Sequence, residues 1–391
     1  MKVDAFDFNL PEELIAQQAS ARGESRLLVL ERASGALKHS RVRELPSILQ
    51  PGDVLVANDT RVFPARLLGH RVPSGGAVEC LLLAREDAVE DPPGSSAVAA
   101  PASPLAPRAV RLAPRASQTW SALMHPGQKL KPGAVVRFEH ESGVLMAEVL
   151  EQQFFGRRRV RLWSEERQER AQDIDALVDA MGHVPLPPYI HRGDTPDDRE
   201  RYQTVFASAR GSIAAPTAGL HFDQPLLDAI DAAGVERITV TLHVGYGTFK
   251  PVRVEDVEAH IVDPEPYEIS VPAATAINGA LDAGRRVVAV GTTTTRALED
   301  AARRGGGLSR ASGRESRGRV RPGRAEAEVF IHPGFDFQVI SGLMTNFHLP
   351  RSSLLMLVAA FAGRDRVLAA YEEAIAQRYR FYSYGDAMLV V

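Results

Sequence analysis

The chain has 391 residues, 45% hydrophobic and 24% charged, an ordinary globular balance long enough for two domains or one domain with a large insertion. Its single cysteine, Cys80, excludes an internal disulfide and any cysteine-cluster metal site. A formal net charge of −3 gives no global support to nucleic-acid binding, so a basic footprint has to be local. Two places qualify: the run Arg157, Arg158, Arg159 and Arg161, and the segment Arg303 to Arg324, with eight arginines against one acid, Glu315.

The opening MKVDAFDFNLPEELIAQQ carries acids and no apolar core, so no signal peptide is expected. Ser25 to Arg32 and Leu37 to Val42 read as two strands joined by a Ser-Gly turn, with a short helix near Arg43 to Leu49. PGDVLVANDTRV then gives a turn, a strand Val54 to Ala57, and a polar exit Asn58-Asp59-Thr60-Arg61. From about Ala65 to Trp163 short apolar runs recur (Val78 to Leu83, Ala134 to Phe138, Val144 to Leu150, Arg159 to Trp163) between Gly and Pro turns. Without a helical period, that pattern predicts a small antiparallel sheet or barrel. The Pro, Ala and Ser-rich stretch 88–117 reads as a disordered surface insertion.

From about Glu165 helical and strand patterns alternate. Strands are expected at Ile238 to His243, Arg286 to Val290 and Leu343 to Phe347. Helices are expected at Gln224 to Ala233, Thr295 to Arg304, Ser352 to Ala362 and Arg366 to Ala376, with Asp223 as an N-cap and Gly234 as a closing residue. Such alternation predicts an α/β core, a mixed and largely parallel sheet with flanking helices. The domains are then residues 1–63 plus 164–391 for the core and 64–163 for an inserted β-barrel. A mobile Arg/Gly-rich loop is expected at 305–324. The apolar run Leu354 to Ala362 is too short to cross a bilayer, which places the protein in the cytosol without a membrane partner.

In open α/β sheets ligands bind beyond the carboxyl ends of the strands. Several segments share that form here. Val287 to Val290 runs into Gly291 and four threonines before Arg296: either an anion cradle with an arginine grip, or a capped helix with a solvated arginine. Thr241 to Phe249 carries His243 and the glycines Gly245 and Gly247, but lacks the third glycine of a dinucleotide fingerprint. Ala214 to Asp223 puts small residues and Thr217 ahead of His221. Met344 to Ser353 places Asn346 and His348 in a loop entering a helix, with Pro350 suited to its first turn and Ser352 or Ser353 able to meet its orphan N–H groups. At the end, Arg380 to Met388 combines arginine with aromatic residues, which either stack on bases or pack as an edge strand. No P-loop, GxSxG elbow, HExxH or Cys/His metal spacing occurs, so no metal is expected.

The strings PGDVLVANDTRVFPARL, GHVPLPPYI, RYQTVFA, APTAGLHF, TLHVGYGTFKPV, VGTTTTRALE, TNFHLPRSSLLMLVAAFAG and YRFYSYGDAML run in order along the chain. As a set this sequence resembles the S-adenosylmethionine:tRNA ribosyltransferase-isomerases of queuosine biosynthesis. The resemblance implies an α/β core with an inserted β-barrel, acting as a monomer. It also implies transfer and isomerisation of the ribosyl part of S-adenosylmethionine, as co-substrate, to 7-aminomethyl-7-deazaguanine at the tRNA wobble position. Epoxyqueuosine would remain as adenine and methionine leave. That chemistry needs a base beside a sulfonium, an acid for adenine, an anion grip and a surface for tRNA.

Carried onto this sequence, His221, His243, His348 and Glu265 become candidate catalytic residues. Thr217, Gly245, Gly247, Thr248, Thr292, Thr293, Arg296, Asn346, Ser352 and Ser353 become the expected S-adenosylmethionine site. Asn58, Asp59, Arg61, Arg380, Tyr384 and Asp386 become the expected substrate or tRNA contacts. The sequence departs from the family at Asp263, where a second histidine after His260 is usual, at Thr294-Thr295 in place of Ser-Val, and at Tyr246. The alternatives are a divergent paralogue, an α/β metabolic enzyme on another small phosphorylated or carboxylated substrate, and an RNA-binding module without catalysis.

Overall fold

The computed structural model describes residues 1–86, 117–165, 173–304 and 318–391. The expected insertion at 88–117 therefore lies outside the described residues except for Ser117, as does the 305–317 part of the Arg/Gly-rich segment.

The first part of the chain forms β1 (Arg26–Leu30), β2 (Leu37–Arg41), α1 (Leu45–Ile48), β3 (Val54–Asn58) and β4 (Thr60–Val62). Then come β5 (Arg66–Val72), β6 (Ala77–Glu86), β7 (Ser117–His125), β8 (Val135–His140), β9 (Gly143–Gln152), β10 (Arg157–Ser164) and α2 (Ile174–Met181). The remainder holds α3 (Pro196–Arg201), β11 (Ala209–Ser212), α4 (Gln224–Ala232), β12 (Glu236–Leu242), β13 (Glu265–Ile269), α5 (Val271–Asp282), β14 (Val287–Val290) and α6 (Thr292–Arg304). It closes with β15 (Gly323–Ala327), β16 (Gly342–Asn346), α7 (Ser353–Ala362), α8 (Arg364–Ala376) and β17 (Ala387–Val390).

Two compact units result, Met1–Phe63 with Leu186–Val391, and Pro64–Pro185. In the second, β10-β7-β6-β5-β8-β9 close into an antiparallel barrel. Alternate side chains such as Leu67, Cys80, Leu82, Trp120, Phe138 and Leu162 fill its interior. The expected end of this unit at residue 163 is corrected to Pro185, because α2 turns Ile174, Leu177, Val178 and Met181 inward and packs on β8, β9 and β10. The arginine run on β10 is not a free basic footprint. Arg158 is buried and donates to the carbonyls of Leu130 (3.1 Å) and Gly127 (2.9 Å), Arg159 pairs with Glu86 at 2.6 Å, and Arg161 pairs with Glu148.

In the first unit nine strands form one sheet in the order β15-β13-β12-β3-β14-β16-β17-β1-β2. The central four, β12, β3, β14 and β16, are mutually parallel, and antiparallel pairs flank them. Strands covered on both faces need apolar residues at every position. VLVAN in β3, VVAV in β14 and GLMTN in β16 are buried throughout. Alternation divides them: Val54, Val56, Val287 and Ala289 face a core shared with α5 to α8, while Leu55, Ala57, Val288 and Val290 face α1 and α4. β17 lies inside the sheet, between β16 and β1, so of the two readings of the chain end the edge strand does not hold. Residues 318–324, expected in a mobile loop, lead into β15, where Arg324 pairs with Glu268 at 2.9 Å.

One buried carboxylate orients α6. Glu299 accepts from the backbone N–H groups of Gln338 (2.8 Å), Val339 (3.0 Å) and Ile340 (3.0 Å), tying the helix to the segment entering β16. The helix therefore starts at a fixed place against the sheet. Gly291, with φ +96°, makes the turn from β14 that a residue with a Cβ adopts only with strain.

Candidate active site

The carboxyl ends of the central strands surround a cavity of about 500 Å³ in the first unit. Val244 reaches it beyond β12, Gly291, Thr292 and Thr293 beyond β14, and Thr345 to Ser353 from the end of β16. Thr217, Thr248, Tyr189 and Tyr382 supply further walls. This is the position expected of a ligand site in an open α/β sheet. Of the expected site residues, Thr217, Thr248, Thr292, Thr293, Asn346, His348, Ser352 and Ser353 line it together.

The four threonines divide by hydrogen bonding. Thr294 and Thr295 turn back and donate to the carbonyls of Val290 (2.7 Å) and Gly291 (3.1 Å), which lets β-branched residues sit inside a buried helix. Thr292 and Thr293 remain on the cavity wall at the positive end of α6. The N-terminus of α7 also meets the cavity, capped by Ser352, whose Oγ accepts from Leu355 N–H at 3.2 Å. Pro350 precedes that cap, so its expected place in the first turn is corrected.

Asn346 joins the cavity to a buried layer behind it. Its Nδ2 donates to the Tyr382 carbonyl (3.0 Å) and to His221 Nε2 (3.2 Å). Because the Tyr382 carbonyl only accepts, the amide nitrogen must lie on this side, and His221 Nε2 is an acceptor. The imidazole proton is thereby assigned to Nδ1, facing Ser25 Oγ at 3.0 Å. Burial, opposed by Asp386 and aided by Arg380 and Arg22, pushes His221 down to about 4. His221 does not line the larger cavity; it positions Asn346. Among the described residues Asn346 Oδ1 and Tyr382 Oη are buried without a partner, and both residues belong to the cavity wall. Tyr382 also holds φ +73°, the left-handed region, clamped by Tyr382 N–H to the Phe347 carbonyl (3.0 Å) and Gly385 N–H to its own carbonyl (2.9 Å).

His348 is the one candidate proton carrier in the larger cavity. Nε2 lies 2.7 Å from Thr345 Oγ1, and burial lowers its ring to about 3. His243 stands elsewhere, Nδ1 at 2.8 Å from Thr60 Oγ1, its ring filling the space where a Cβ on Gly211 would lie.

Glu265 belongs to a second cavity of about 50 Å³, which shares Thr248, Lys250, Ser353 and Leu354 with the first. It is fully buried, pairs with Arg296, and accepts from Gly245 N–H (2.9 Å) and Thr248 Oγ1 (3.1 Å). Burial raises its carboxyl above the usual range, against the pull of Arg296. Arg296 also donates to the carbonyls of Ala327 (2.8 Å) and Val329 (3.3 Å). Arg296 lines this smaller cavity and, in place of a solvated or outward-reaching arginine, is engaged in an internal ion pair. Gly247 lines the smaller cavity with Asp263 pressed against it.

The expected substrate contacts are not at either cavity. Asn58 is a staple: Nδ2 donates to the Leu242 carbonyl (2.8 Å) while Oδ1 accepts from the N–H groups of Leu242 and Thr60, both at 3.0 Å. Asp59 accepts from Thr241 (2.6 Å) and Ser208 (3.1 Å), and Arg61 is exposed on β4. Asp386 accepts from the backbone N–H groups of Arg26 (2.9 Å) and Arg380 (2.8 Å), Arg380 bonds Ser20 and the Gln18 carbonyl, and Tyr384 donates to Asp198 at 2.8 Å. These side chains are occupied in holding the chain end. Sequence reasoning missed Tyr189, Tyr382 and Lys250 as wall residues; the aromatic ends of VPLPPYI and RFYSYG carried the available signal.

Among the described residues no group of three or more His, Cys, Asp or Glu is placed to hold a metal, and no helix is long and apolar enough to cross a membrane.

Comparison with known proteins gives a consistent picture. Residues 3–390 match the model of a family described as queuosine biosynthesis protein. The S-adenosylmethionine:tRNA ribosyltransferase-isomerases of Symbiobacterium thermophilum and Heliobacterium modesticaldum are each 45% identical over 392 residues, spanning 100% of both chains. The crystal structure of S-adenosylmethionine tRNA ribosyltransferase from Thermotoga maritima is 32% identical, covering 99% of this chain and 100% of that one, with a TM-score of 0.49.

Proposed function

We infer the activity from a plain premise: the chain belongs to the queuosine biosynthesis protein family. We propose that it is an S-adenosylmethionine:tRNA ribosyltransferase-isomerase. In this reading it moves the ribosyl part of S-adenosylmethionine onto 7-aminomethyl-7-deazaguanine at the tRNA wobble position, forming epoxyqueuosine and releasing adenine and methionine. The observation that carries the reading is the convergence of Thr217, Thr248, Thr292, Thr293, Asn346 and His348, distant in sequence, on one cavity with two unpartnered polar atoms. Its volume of about 500 Å³ lies within the range of small-molecule sites.

The residues divide the work by their chemistry. Tyr189 and Tyr382, stacked on each other with ring centroids 4.2 Å apart and tilted by 36°, put aromatic surface on the cavity wall, suited to a purine. Asn346 Oδ1 and Tyr382 Oη lack partners, and a substrate donor or acceptor reaching them would remove a cost the fold otherwise carries. Burial holds the His348 ring neutral, which leaves a nitrogen able to accept a proton but lowers its basicity; we assign it the proton-accepting role beside the sulfonium on its place in the cavity wall. Relatives that act on tRNA support a cytoplasmic location.

Mixing the protein with labelled S-adenosylmethionine and tRNA carrying the aminomethyl base tests the reading. Adenine release that requires the RNA is expected. Binding of RNA without release would make the chain a binding module, and release that ignores RNA would make it an enzyme on a small substrate. His348→Gln is expected to lower kcat by about 10²–10⁴-fold.

A further inference from the structure

Two ion pairs stand in series in the smaller cavity. The inner, Glu265 with Arg296, is saturated and desolvated, with side-chain exposures of 2% and 11%. The outer, Lys250 Nζ to Asp263 Oδ2 at 2.6 Å, has exposures of 38% and 31%. Lys250 lines both cavities, so the pair stands at their junction. Asp263 is held in place by the lack of a side chain at Gly247, where an added Cβ would lie 2.8 Å from Asp263 Cβ.

We propose that Lys250 and Asp263 form a subsite for an α-amino acid terminus, taking the carboxylate on Lys250 and the ammonium on Asp263. The proposal deepens the ribosyltransferase reading and rests on it: the ligand end is the methionyl head of S-adenosylmethionine, and the ammonium contact is particular to this chain, since Asp263 stands where a histidine is usual. An ammonium and a carboxylate on one carbon are complementary to an opposed pair of side-chain charges. The bound head replaces one ion pair with two and brings no net charge into the pocket. The outer pair is partly solvated, so parting it costs little. The inner pair is not, and it stays closed as the floor. A cavity of about 50 Å³ suits a compact charged head. The purine then falls in the larger cavity, against Tyr189 and Tyr382. Lys250 thereby sets the direction in which the substrate lies.

Calorimetric titration of the full chain with S-adenosylhomocysteine and with 5′-methylthioadenosine tests this, since the second ligand lacks the amino acid end. The intact protein is expected to prefer S-adenosylhomocysteine by roughly 10- to 100-fold, the scale of hydrogen bonds to charged groups. Lys250→Met and Asp263→Asn are each expected to lose most of that preference while still binding methylthioadenosine, which also shows that they are folded. The exchanged variant K250D/D263K restores an ion pair but reverses its direction, and is expected not to recover the preference. Equal binding of the two ligands by the intact protein, an undiminished preference in the single variants, or recovery in the exchanged variant would each overturn the subsite. These readouts need no turnover. Failure of the ribosyltransferase reading shows separately, as absent RNA-dependent adenine release.

Discussion

Acid should find the layer behind the cavity before it finds the rest of the core. His221 is held neutral by burial, and its folded-state value of about 4 lies below the ordinary 6.5. The sign follows from linkage. A depressed value means the unfolded chain binds the proton more readily, so the stabilisation is complete above 6.5 and is lost as pH falls through about 4. The gap corresponds to about 3 kcal/mol, a large share of the 5–15 kcal/mol typical of a domain. His221→Gln removes the titration while its Oε1 can still accept from Asn346 Nδ2. It forfeits the contact with Ser25, worth about 1 kcal/mol. The variant is therefore expected to be less stable than the parent by about 1 kcal/mol at pH 7 and more stable by about 2 kcal/mol at pH 4, with the curves crossing between roughly pH 5 and 6. Urea unfolding of both proteins at pH 7, 5.5 and 4 reads this directly, and carboxylates common to both cancel in the difference. Parallel stabilities at all three values would refute the assignment of His221 as a buried neutral ring.

Three further outcomes follow from the same geometry. Asn58→Leu leaves the N–H and carbonyl of Leu242 and the N–H of Thr60 without partners, and is expected to cost about 3 kcal/mol in chemical denaturation; a loss of a few tenths would remove the staple between β3 and β12. Arg296→Met strands the Glu265 carboxylate and is expected to cost about 3–5 kcal/mol. Since the Glu265 value is already raised, stability present below its ordinary range is lost as pH rises, so this variant is expected to suffer more at pH 8 than at pH 5, and E265Q/R296M to recover part of the loss. The Cys80 thiol, fully buried and pushed up to about 12, is expected to react with iodoacetamide at least about a thousandfold more slowly in the folded protein than in guanidinium; labelling at the ordinary rate would contradict its burial in the barrel.

Where hydrophobic period and burial agree, the fold was legible. The runs VLVA and VVAV are apolar at every position because both faces of the central strands are covered, and they read as strands from composition alone; in β16 the apolar pair Leu343-Met344 carries the signal and the polar Thr345-Asn346 closes the strand at the cavity. β13 was not legible. EPYEI does alternate, burying Glu265, Tyr267 and Ile269, but a charged residue occupies one inward position and hides the alternation. α5 escaped for a related reason: its buried face is Ala273, Ala274, Ile277 and Ala280, too small to stand out against the threonine, asparagine and glycine between them. The second boundary of the barrel unit was set by α2, whose docking on β8, β9 and β10 is a tertiary fact without a local signal.

The site shows the same limit from the other side. Polar residues at strand exits were found because their types suit ligands, yet those types equally suit holding a loop in place, and only depth separates the two uses. Four threonines follow one glycine, and backbone carbonyls claim two of them. Of the four candidate catalytic residues, one faces the larger cavity, one supports it from behind, one closes an ion pair in the neighbouring pocket and one packs against a glycine. Asp386, Asn58 and Arg296 are hydrogen-bonded inside the protein and hold the frame around the cavities. By the same reasoning, atoms left unmet within a wall are the better guide to ligand contact. Asn346 Oδ1 and Tyr382 Oη are such atoms, and neither residue type at either position announces it.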